Sequence, residues 1–483
     1  MSRLKSALCL VCSAALLLCS AGCGNAAVTA KENTTITVWI YYNGNQLDSF
    51  NSMVEEFNNT TGREKGITVE SYSQGSISDL ETNVMASAEG KVGASAMPNI
   101  FSAYADTAYA LDQMGMVVDL SGYLTDEEKA AYVPGYLDEG DFSGNGSLKI
   151  FPTAKSTELL FLNETDWHSF AEATGADYSD LKTVEGVVQT AEAYYNWTDS
   201  LTPEEGDGKA FFGRDAMANY ILIGARQLGC TVFDVQDGKV TLNFDKEIVR
   251  KLWDNYYVPF VKGYFSASGS FRSDDIKTGN IVAYVGSSSS AGFFPDQVVT
   301  GDTESHSITR TVLPCPVFEE GQDVVVQQGA GMVVTTASDA EIEASVEFLK
   351  WFTDPKHNIA FSVGSDYLPV TTAGSDLSTI KKSGLEITAD TEQLLTAAFE
   401  AVQTKTLYTP KPFAGGYDAR NVLEYAMNDQ AEEDRSTVVE RMAQGQSFEE
   451  AAEEFLSDDN FEQWYQQTLI SLQEKIGSFP VSG

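Results

Sequence analysis

Apolar residues along this chain occur either in short continuous runs or at helical spacing. The runs Thr35–Tyr41 and Ile67–Tyr72 predict buried strands, and the segment Leu47–Phe57 between them has the spacing of a helix. A second helix is expected around residues 80–88, followed by a short strand at Met97–Phe101. Because strand and helix alternate, this region predicts a parallel sheet with helices on both faces.

The alternation continues through the middle of the chain. Its predicted strands and helices are, in order, Glu158–Asn163, Val184–Tyr195, Ala218–Leu228, Asn280–Gly286, Thr311–Pro314, Gly331–Thr335 and Ile342–Phe352. The part from about Ile387 to Leu472 is mostly helical and acidic in pattern. No short repeat and no long low-complexity linker separates these regions. Two α/β blocks joined by brief crossings are therefore expected.

The first residues have the pattern of an export signal. Arg3 and Lys5 precede an apolar run, Ala7–Leu18, and the small residues Ser20–Gly22 stand directly before Cys23. The apolar run is shorter than the ~20 residues that cross a bilayer as a helix. The Ser-Ala-Gly-Cys ending resembles a bacterial lipobox, which implies removal of residues 1–22 and lipid on Cys23. Ser20 stands where leucine is commonest, so plain secretion is the alternative.

The charge balance excludes one class of partner. The chain has 70 Asp and Glu against 31 Lys and Arg, a formal net charge of −39. Nucleic-acid binding needs clustered cations, so neither DNA nor RNA is an expected partner. An anionic membrane surface would also repel such a chain. The acidity favours solubility outside a cell.

Cysteine and histidine are too sparse for a common metal site. Beyond residue 23 only Cys230 and Cys315 remain, and the chain has 3 histidines. A zinc site of the usual ligand type is therefore not expected, and neither a cofactor nor another metal is predicted. The two cysteines allow one disulfide or two separate thiols. The loop Asp141–Pro152 has calcium-like spacing, but its twelfth position is proline, so a glycine-rich turn is expected instead.

Several motifs follow one another in an order typical of a known family. They are the lipobox, Val38–Ile40, Met97–Ile100, Gly115–Leu120, Phe151–Pro152, Leu160–Asn163, Lys277–Tyr284, Leu313–Pro314, the strand from Gly329, and Tyr367–Pro369. This order resembles the family 1 extracellular solute-binding proteins of ABC importers, the relatives of maltose-binding protein. The resemblance runs from about Thr35 to Tyr417. Each motif alone is weak, and their order and spacing carry the resemblance.

The resemblance implies a two-lobed periplasmic-binding-protein-like α/β fold. Each lobe is a sheet flanked by helices, and a multi-segment hinge joins the lobes. The expected boundaries are a signal peptide at 1–22, a lipid-anchored tether at 23–33, an N-terminal lobe at 34–157 with 319–362 returning to it, and a C-terminal lobe at 158–318 with the helical part 363–483. The crossings are expected near Lys155–Glu158, Pro314–Phe318 and Val363–Pro369.

Ligand residues are expected in loops after the carboxyl ends of strands, because α/β sheets present their binding groups there. In the first lobe these candidates are Tyr41, Tyr42, Asn43, Gln46, Gln74, Tyr104 and Asp106. In the second lobe they are Phe212, Asp215, Ser287, Ser288, Phe293, Gln328, Phe413, Tyr417 and Arg420. Helix caps, core packing or a flexible loop are the alternative roles for these residues. Amides and hydroxyls would bind sugar hydroxyls, and aromatic faces would cover sugar C–H faces.

The expected function is capture of a carbohydrate between the lobes and delivery to a membrane permease, by a monomeric protein outside the cytoplasm. A polyol, a glycerol-phosphate derivative or ferric ion are alternative ligands, and Tyr194–Tyr195 is the pair that iron would need. A secreted glycan-acting enzyme is a further alternative, because Glu204–Glu205 or Asp274–Asp275 could supply two carboxylates. No nucleophile turn, P-loop or zinc-protease motif is present in the sequence, so no enzyme activity is expected.

Overall fold

The computed structural model describes residues 33–236, 238–300 and 304–477. The predicted signal and Cys23 lie outside the described residues. The strands are β1 (Thr34–Ile40), β2 (Ile67–Ser73), β3 (Ile100–Ala103), β4 (Glu158–Asn163), β5 (Phe212–Arg214), β6 (Phe233–Gln236), β7 (Lys239–Leu242), β8 (Ala283–Ser287), β9 (Gln297–Thr300), β10 (Glu304–Ser307), β11 (Arg310–Pro314), β12 (Val324–Val326), β13 (Gly331–Val334) and β14 (Thr406–Tyr408).

Helices make up most of the rest. They are α1 (Gly44–Asn59), α2 (Thr61–Lys65), α3 (Ile77–Ala88), α4 (Ala105–Gln113), α5 (Asp126–Ala130), α6 (Pro134–Asp138), α7 (Glu164–Thr174), α8 (Val184–Asp199), α9 (Met217–Gln227), α10 (Lys246–Val261), α11 (Arg272–Thr278), α12 (Asp339–Thr353), α13 (Pro355–Ser365), α14 (Leu377–Lys382), α15 (Ala389–Thr404), α16 (Gly416–Ala443), α17 (Phe448–Ala452) and α18 (Asp458–Gly477). The predicted strands and helices are confirmed, with ends that shift by a few residues.

The first lobe is built on a sheet of order β13-β3-β1-β2. Strands β1, β2 and β3 are parallel, as expected, whereas β13 joins β3 antiparallel from far along the chain. Helices α1, α12 and α13 pack together beside this sheet. Their aromatic rings meet in the core, where Phe50 lies 5.5 Å from Phe352.

The second lobe departs from the expected parallel sheet. Its order is β11-β4-β8-β5, and β4 is antiparallel to both of its neighbours. Within this sheet, β5 and β8 are the one pair of described strands that run parallel. Strand β4 is buried along its whole length. A strand buried on both faces carries a continuous apolar run whatever the direction of its partners, so its sequence did not encode this direction.

Three short segments run side by side between the lobes. Lys155 pairs with Leu368, and Ser156 pairs with Gln328, in isolated backbone bridges. The segment that pairs with Ser156 comes about ten residues after the expected crossing at Pro314–Phe318. In that expected crossing, Phe318 instead packs in the core of the second lobe.

Helix α16 is the longest helix in the described part of the chain. It contacts α4 of the first lobe at one end and packs against α9, α10 and α18 of the second. Among the described residues, no helix is both long and apolar enough to cross a bilayer. Cys230 and Cys315 are free thiols. The expected turn after Asp141 is confirmed, because its carboxylate accepts from the backbone N–H groups of Asn145 and Gly146.

Candidate functional site

The segments between the lobes carry two buried ion pairs, which we call the floor ion pairs. Lys155 pairs with Glu139, and Arg214 pairs with Glu158. The Lys155 ammonium also donates to the Gly329 carbonyl at 2.9 Å. Lys155 is fully buried, and both carboxylates are almost so. A buried charge is tolerated only when it is paired and hydrogen-bonded, and both pairs meet that condition.

One floor ion pair continues into a chain of side-chain hydrogen bonds. The second carboxylate oxygen of Glu158 accepts from the Asn219 amide at 2.8 Å, and Arg420 donates to the Asn219 carbonyl oxygen at 2.6 Å. Arg420 is on α16, two residues beyond the first turn of that helix. This chain therefore fixes the start of α16 against β4 and α9.

A cluster of phenols lies where β1 and the last crossing segment end. The Tyr41 and Tyr367 hydroxyls are 2.8 Å apart. Burial, and then the phenols of Tyr367 and Tyr104, raise the pKa of Tyr41 well above its usual value, so it stays protonated. Tyr104 has 38% of its surface exposed. The cluster therefore offers neutral hydroxyls and one accessible aromatic face.

Gln46 connects the two lobes directly. Its side-chain amide donates to the Ser289 carbonyl at 3.1 Å and lies 3.4 Å from the Ser365 carbonyl. Ser289 belongs to a short 3₁₀ turn, Ser288–Phe293, that follows β8 in the second lobe. Gln46 is at the start of α1 in the first lobe, so this amide is a cross-lobe contact.

Carboxyl groups of the first lobe face the start of α16. Burial raises the pKa of Asp106 to about 6, and Arg420 opposes that shift. Burial raises the pKa of Glu81 to about 7, against a 2.8 Å bond from the Thr107 hydroxyl that stabilises the carboxylate. A Cβ at Gly416 would lie 2.4 Å from a carboxylate oxygen of Asp106, so a side chain there would displace that carboxylate. The two lobes are in close contact at this point.

The serine run after β8 is mostly occupied by hydrogen bonds. Ser287 donates to Ser156 at 3.1 Å, and the buried Ser288 hydroxyl accepts from the Thr157 N–H at 3.3 Å. Ser290 donates to the Ser287 carbonyl at 2.7 Å. Phe293 ends this turn with 60% of its surface exposed. Of this segment, the aromatic ring is therefore the group most available to a ligand.

Asp215 follows β5 at the same edge of the second sheet. Its carboxylate accepts from the Arg272 N–H at 2.8 Å, and burial raises its pKa to about 6. Arg272 in turn pairs with the buried Asp275 at 2.9 Å. The charge of the Asp215 carboxylate is therefore partly compensated by Arg272 of the same lobe.

Three aromatic candidates lie in the cores. Tyr42 is fully buried beside Phe50, Phe212 packs 5.0 Å from Phe265, and Phe413 packs 5.1 Å from Phe233. The Tyr42 hydroxyl has no hydrogen-bond partner among the described residues, whereas the Tyr41 hydroxyl bonds to that of Tyr367.

The amide candidates divide into two groups. Asn43 donates to the Tyr41 and Gly75 carbonyls, and Gln74 accepts from Asn83 at 3.0 Å. These bonds are local to the first lobe. The buried Gln328 side-chain oxygen, by contrast, has no hydrogen-bond partner among the described residues, and the same holds for the Gln327 amide nitrogen. A buried amide without a partner is costly, so these two atoms are candidates for a ligand or bound water.

The remaining aromatic candidate is also an exposed ring. Tyr417, in the first turn of α16, has 45% of its surface exposed. We call Tyr104, Phe293 and Tyr417 the rim aromatics, because each follows a strand or begins a helix where the lobes approach. Within the described residues, no group of three or more His, Cys, Asp or Glu side chains could bind a metal.

Several residues of this region were not expected from the sequence. Tyr367, Asn219, Glu139 and Glu81 were not candidates, whereas Gln327 is a neighbour of the candidate Gln328 before the glycine-rich strand. Tyr367 stood inside a motif of the family order, which is the one signal that could have pointed to it. The others acquire their roles only through partners distant in the chain.

The family described as "Bacterial extracellular solute-binding protein" matches residues 52–389. The chain belongs to this family. A search of curated protein sequences finds no significant match.

Solved structures with the same fold agree with this two-lobed solute-binding protein over most of its length. The cyclic alpha-maltosyl-1,6-maltose binding protein from Arthrobacter globiformis has a TM-score of 0.66 at 16% identity, covering 92% of this chain and 100% of that chain. UgpB from Mycobacterium tuberculosis, in complex with glycerophosphocholine, has a TM-score of 0.65 at 17% identity, covering 92% and 99%. The maltose/maltodextrin-binding domain MalE from Bdellovibrio bacteriovorus, bound to maltotriose, has a TM-score of 0.63 at 13% identity, covering 92% and 100%.

Proposed function

We propose that this protein captures a carbohydrate between its lobes and delivers it to the permease of an ABC importer. The proposal is supported by the exposed rim aromatics, by the paired Tyr41–Tyr367 phenols, and by buried Gln327 and Gln328 side-chain atoms that have no hydrogen-bond partner among the described residues. Sugar rings need aromatic faces and neutral hydrogen-bonding groups in this combination. Closure of two lobes around a ligand also gives a membrane partner a shape that reports occupancy.

Charge pairing favours a neutral ligand over a phosphorylated one. Lys155 and Arg214 are occupied by the floor ion pairs, and Arg420 is bonded to Asn219 and faces Asp106. A phosphate would need a cation released from such a partner, at the cost of an unpaired buried carboxylate. The sugar ligands of the Arthrobacter and Bdellovibrio proteins agree with this preference. The glycerophosphocholine complex of the Mycobacterium protein makes a glycerophosphodiester the second candidate ligand.

A thermal-shift screen tests the ligand class. Neutral mono- and oligosaccharides, a polyol and a glycerophosphodiester are each added to the purified protein. A ligand at ~100 Kd stabilises the folded state by about 2.7 kcal/mol. The proposal predicts a shift with at least one neutral saccharide. If only the glycerophosphodiester raises the melting temperature, or no compound does, the carbohydrate proposal fails.

We further propose binding without chemical turnover. The family is one of solute-binding proteins. Tyr194, one half of the tyrosine pair considered for iron, packs in the second-lobe core, where burial raises its pKa and keeps it protonated. Prolonged incubation with the best-binding oligosaccharide should leave it intact, and added iron should leave the protein colourless. Product formation would contradict the first expectation, and a visible charge-transfer band would contradict the second.

We also propose that the protein acts as a monomer attached to the membrane by lipid on Cys23, with residues 23–33 as a tether. The lobe boundaries given above remain part of this proposal. A tethered binder stays near its permease at raised effective concentration. The test is fractionation of cells expressing wild type or Cys23→Ser. Release of the variant into the medium is expected, and its retention in the membrane fraction would contradict lipidation.

A further inference from the structure

A polar groove of about 660 Å³ lies on the second lobe, away from the region between the lobes. It is formed by the segment before β5, the segment after α10, the end of α11 and the middle of α16. Strands β5 and β8 end at Arg214 and Ser287, whereas Ala210 and Asn280, which line the groove, precede these strands. The groove is therefore at the opposite end of the sheet from the interlobe region.

The distance between the two regions follows from the geometry of α16. Arg420 near its start faces the first lobe, and Arg435 lines the groove. At 1.5 Å per residue these positions are about 22 Å apart along the helix. A molecule in the groove could therefore not touch a ligand held between the lobes.

Arg435 is held firmly in the wall of the groove. One guanidinium nitrogen donates to the Val261 carbonyl at 3.1 Å, and the side chain also bonds to Tyr195. A Cβ at Gly263 would lie 2.5 Å from the second terminal nitrogen, so the glycine leaves room for the guanidinium. None of the ion pairs of the described residues includes Arg435, and the nearest carboxylate of the groove lining, Glu432, lies three residues earlier on the same helix. Its positive charge is therefore available to an anion.

Neighbouring groups extend this environment. Lys209 also lines the groove and is exposed. The Ser266 and Ser268 hydroxyls are 3.2 Å apart and bond to each other. Glu432, an acidic residue of the lining, accepts from the Asn428 amide at 2.6 Å. The lining therefore carries two cations, Lys209 and Arg435, and one carboxylate, Glu432.

We propose that this groove is a second binding site, for a small solute that carries a phosphate or carboxylate group. Arg435 would bind the anionic group through the guanidinium N–H donors that Val261 and Tyr195 leave free, with Lys209 adding charge and the serine hydroxyls binding the remainder of the solute. The volume lies within the range of small-molecule sites. The ligand preference is opposite to that of the interlobe region, where the cations are already paired.

Isothermal titration of the mature protein with citrate, glucose 6-phosphate and inorganic phosphate tests the proposal, at constant ionic strength and with glucose as the neutral control. Saturable binding of at least one anion is expected. Arg435→Gln should weaken it by ~10-fold or more, because a charge-assisted hydrogen bond is lost. Arg435→Lys should keep part of the affinity. Arg63→Gln, an exposed arginine of the first lobe, is the matched control and should bind like wild type.

Two additional variants cover the case in which Arg435→Gln fails to fold. Ser436→Glu places a carboxylate at the exposed edge of the groove, and Lys209→Gln removes the second cation. Both should weaken the same anion while melting like wild type. Absence of saturable binding up to ~10 mM would overturn the proposal. Equal affinity in wild type and all groove variants would overturn it as well.

Discussion

The floor ion pairs and the rim aromatics lie in the same interlobe region but relate differently to the fold. The charged groups of the floor ion pairs are buried and paired with each other, so they are not available to bind a solute. The rim aromatics keep 38–60% of their surface exposed. The difference separates residues that hold the crossing segments in place from residues that a ligand can cover. Mutations should therefore affect stability at the floor and affinity at the rim.

The largest effect is expected at the floor. Lys155→Met leaves the Glu139 carboxylate buried without its partner, which costs about 3–5 kcal/mol of unfolding free energy. The double variant Lys155→Met with Glu139→Leu removes both charges and should recover most of the loss. Urea unfolding of the three proteins measures this. If Lys155→Met alone is as stable as the double variant, the Glu139 carboxylate does not depend on Lys155 for its burial, and the prediction is wrong.

The second-largest effect is expected at Glu81, whose carboxyl group should make the unfolding free energy depend on pH. The pKa of Glu81 is raised to about 7 by burial, so the native state binds more protons than the unfolded state between about pH 4.5 and 7. Stability from this group is therefore present below that window and lost as the pH rises through it. Glu81→Gln should be more stable than wild type by about 1–3 kcal/mol at pH 8 and equally stable near pH 4.5.

Chemical unfolding across that pH range is the measurement. Glu386→Gln, at an exposed position, is the control and should follow the wild-type profile. A Glu81→Gln profile parallel to wild type at every pH would mean that Glu81 titrates normally.

Removal of a rim aromatic should reduce affinity without reducing stability. Tyr104→Ala and Tyr417→Ala should each weaken the best saccharide ligand by about 1–1.5 kcal/mol, roughly tenfold in Kd. Their unfolding free energies should stay within about 0.5 kcal/mol of wild type, because exposed rings contribute little to the core. Titration calorimetry and urea unfolding give the two quantities.

Matched tyrosines make this comparison sharper. Tyr123 is exposed to the same degree as Tyr104, and Tyr425 lies on α16 beyond Tyr417. Alanine at either position should leave affinity unchanged. If Tyr123→Ala or Tyr425→Ala weakens binding as much as the rim variants, the assignment of the rim is wrong.

The smallest effect is expected from the cross-lobe amide. Gln46→Ala removes a hydrogen bond to the Ser289 carbonyl, an interaction worth about 0.5–1.5 kcal/mol. The loss should be seen as a small increase in ligand Kd and in the radius of gyration measured by X-ray scattering. Ser52→Ala, elsewhere on α1, is a suitable control because its hydroxyl bonds only within the helix. An unchanged Kd would place the amide outside the closure contacts.

Much of the fold was predictable because periodicity is a local signal. The run Thr35–Tyr41 gave β1, and the spacing from Leu47 to Phe57 gave α1. The direction of β4 was not predictable, since a strand buried along its length looks the same in either sheet type. Its partners, β8 and β11, are more than a hundred residues away.

The interlobe residues were less predictable for a related reason. Lys155 is charged and so would be assigned to the surface, and only Glu139 and Gly329 make its burial possible. Tyr41 and Tyr42 are adjacent in sequence and alike in chemistry, and both contact Tyr367, yet only the Tyr41 hydroxyl forms a hydrogen bond with it and only Tyr42 is fully buried. That the candidates named from the sequence bind the ligand stays a prediction until binding is measured.

The late return of the chain to its first lobe has a consequence for the order of folding. The Phe50 and Phe57 rings are covered by Phe348, Phe352 and Phe361, about three hundred residues downstream. Until those residues have been synthesised, the apolar face of the first α/β segment stays uncovered. The long loop that must close before these ring contacts form also has a high entropic cost. Folding of the first lobe is therefore expected to be a late event, because its core is complete only after most of the chain has been synthesised.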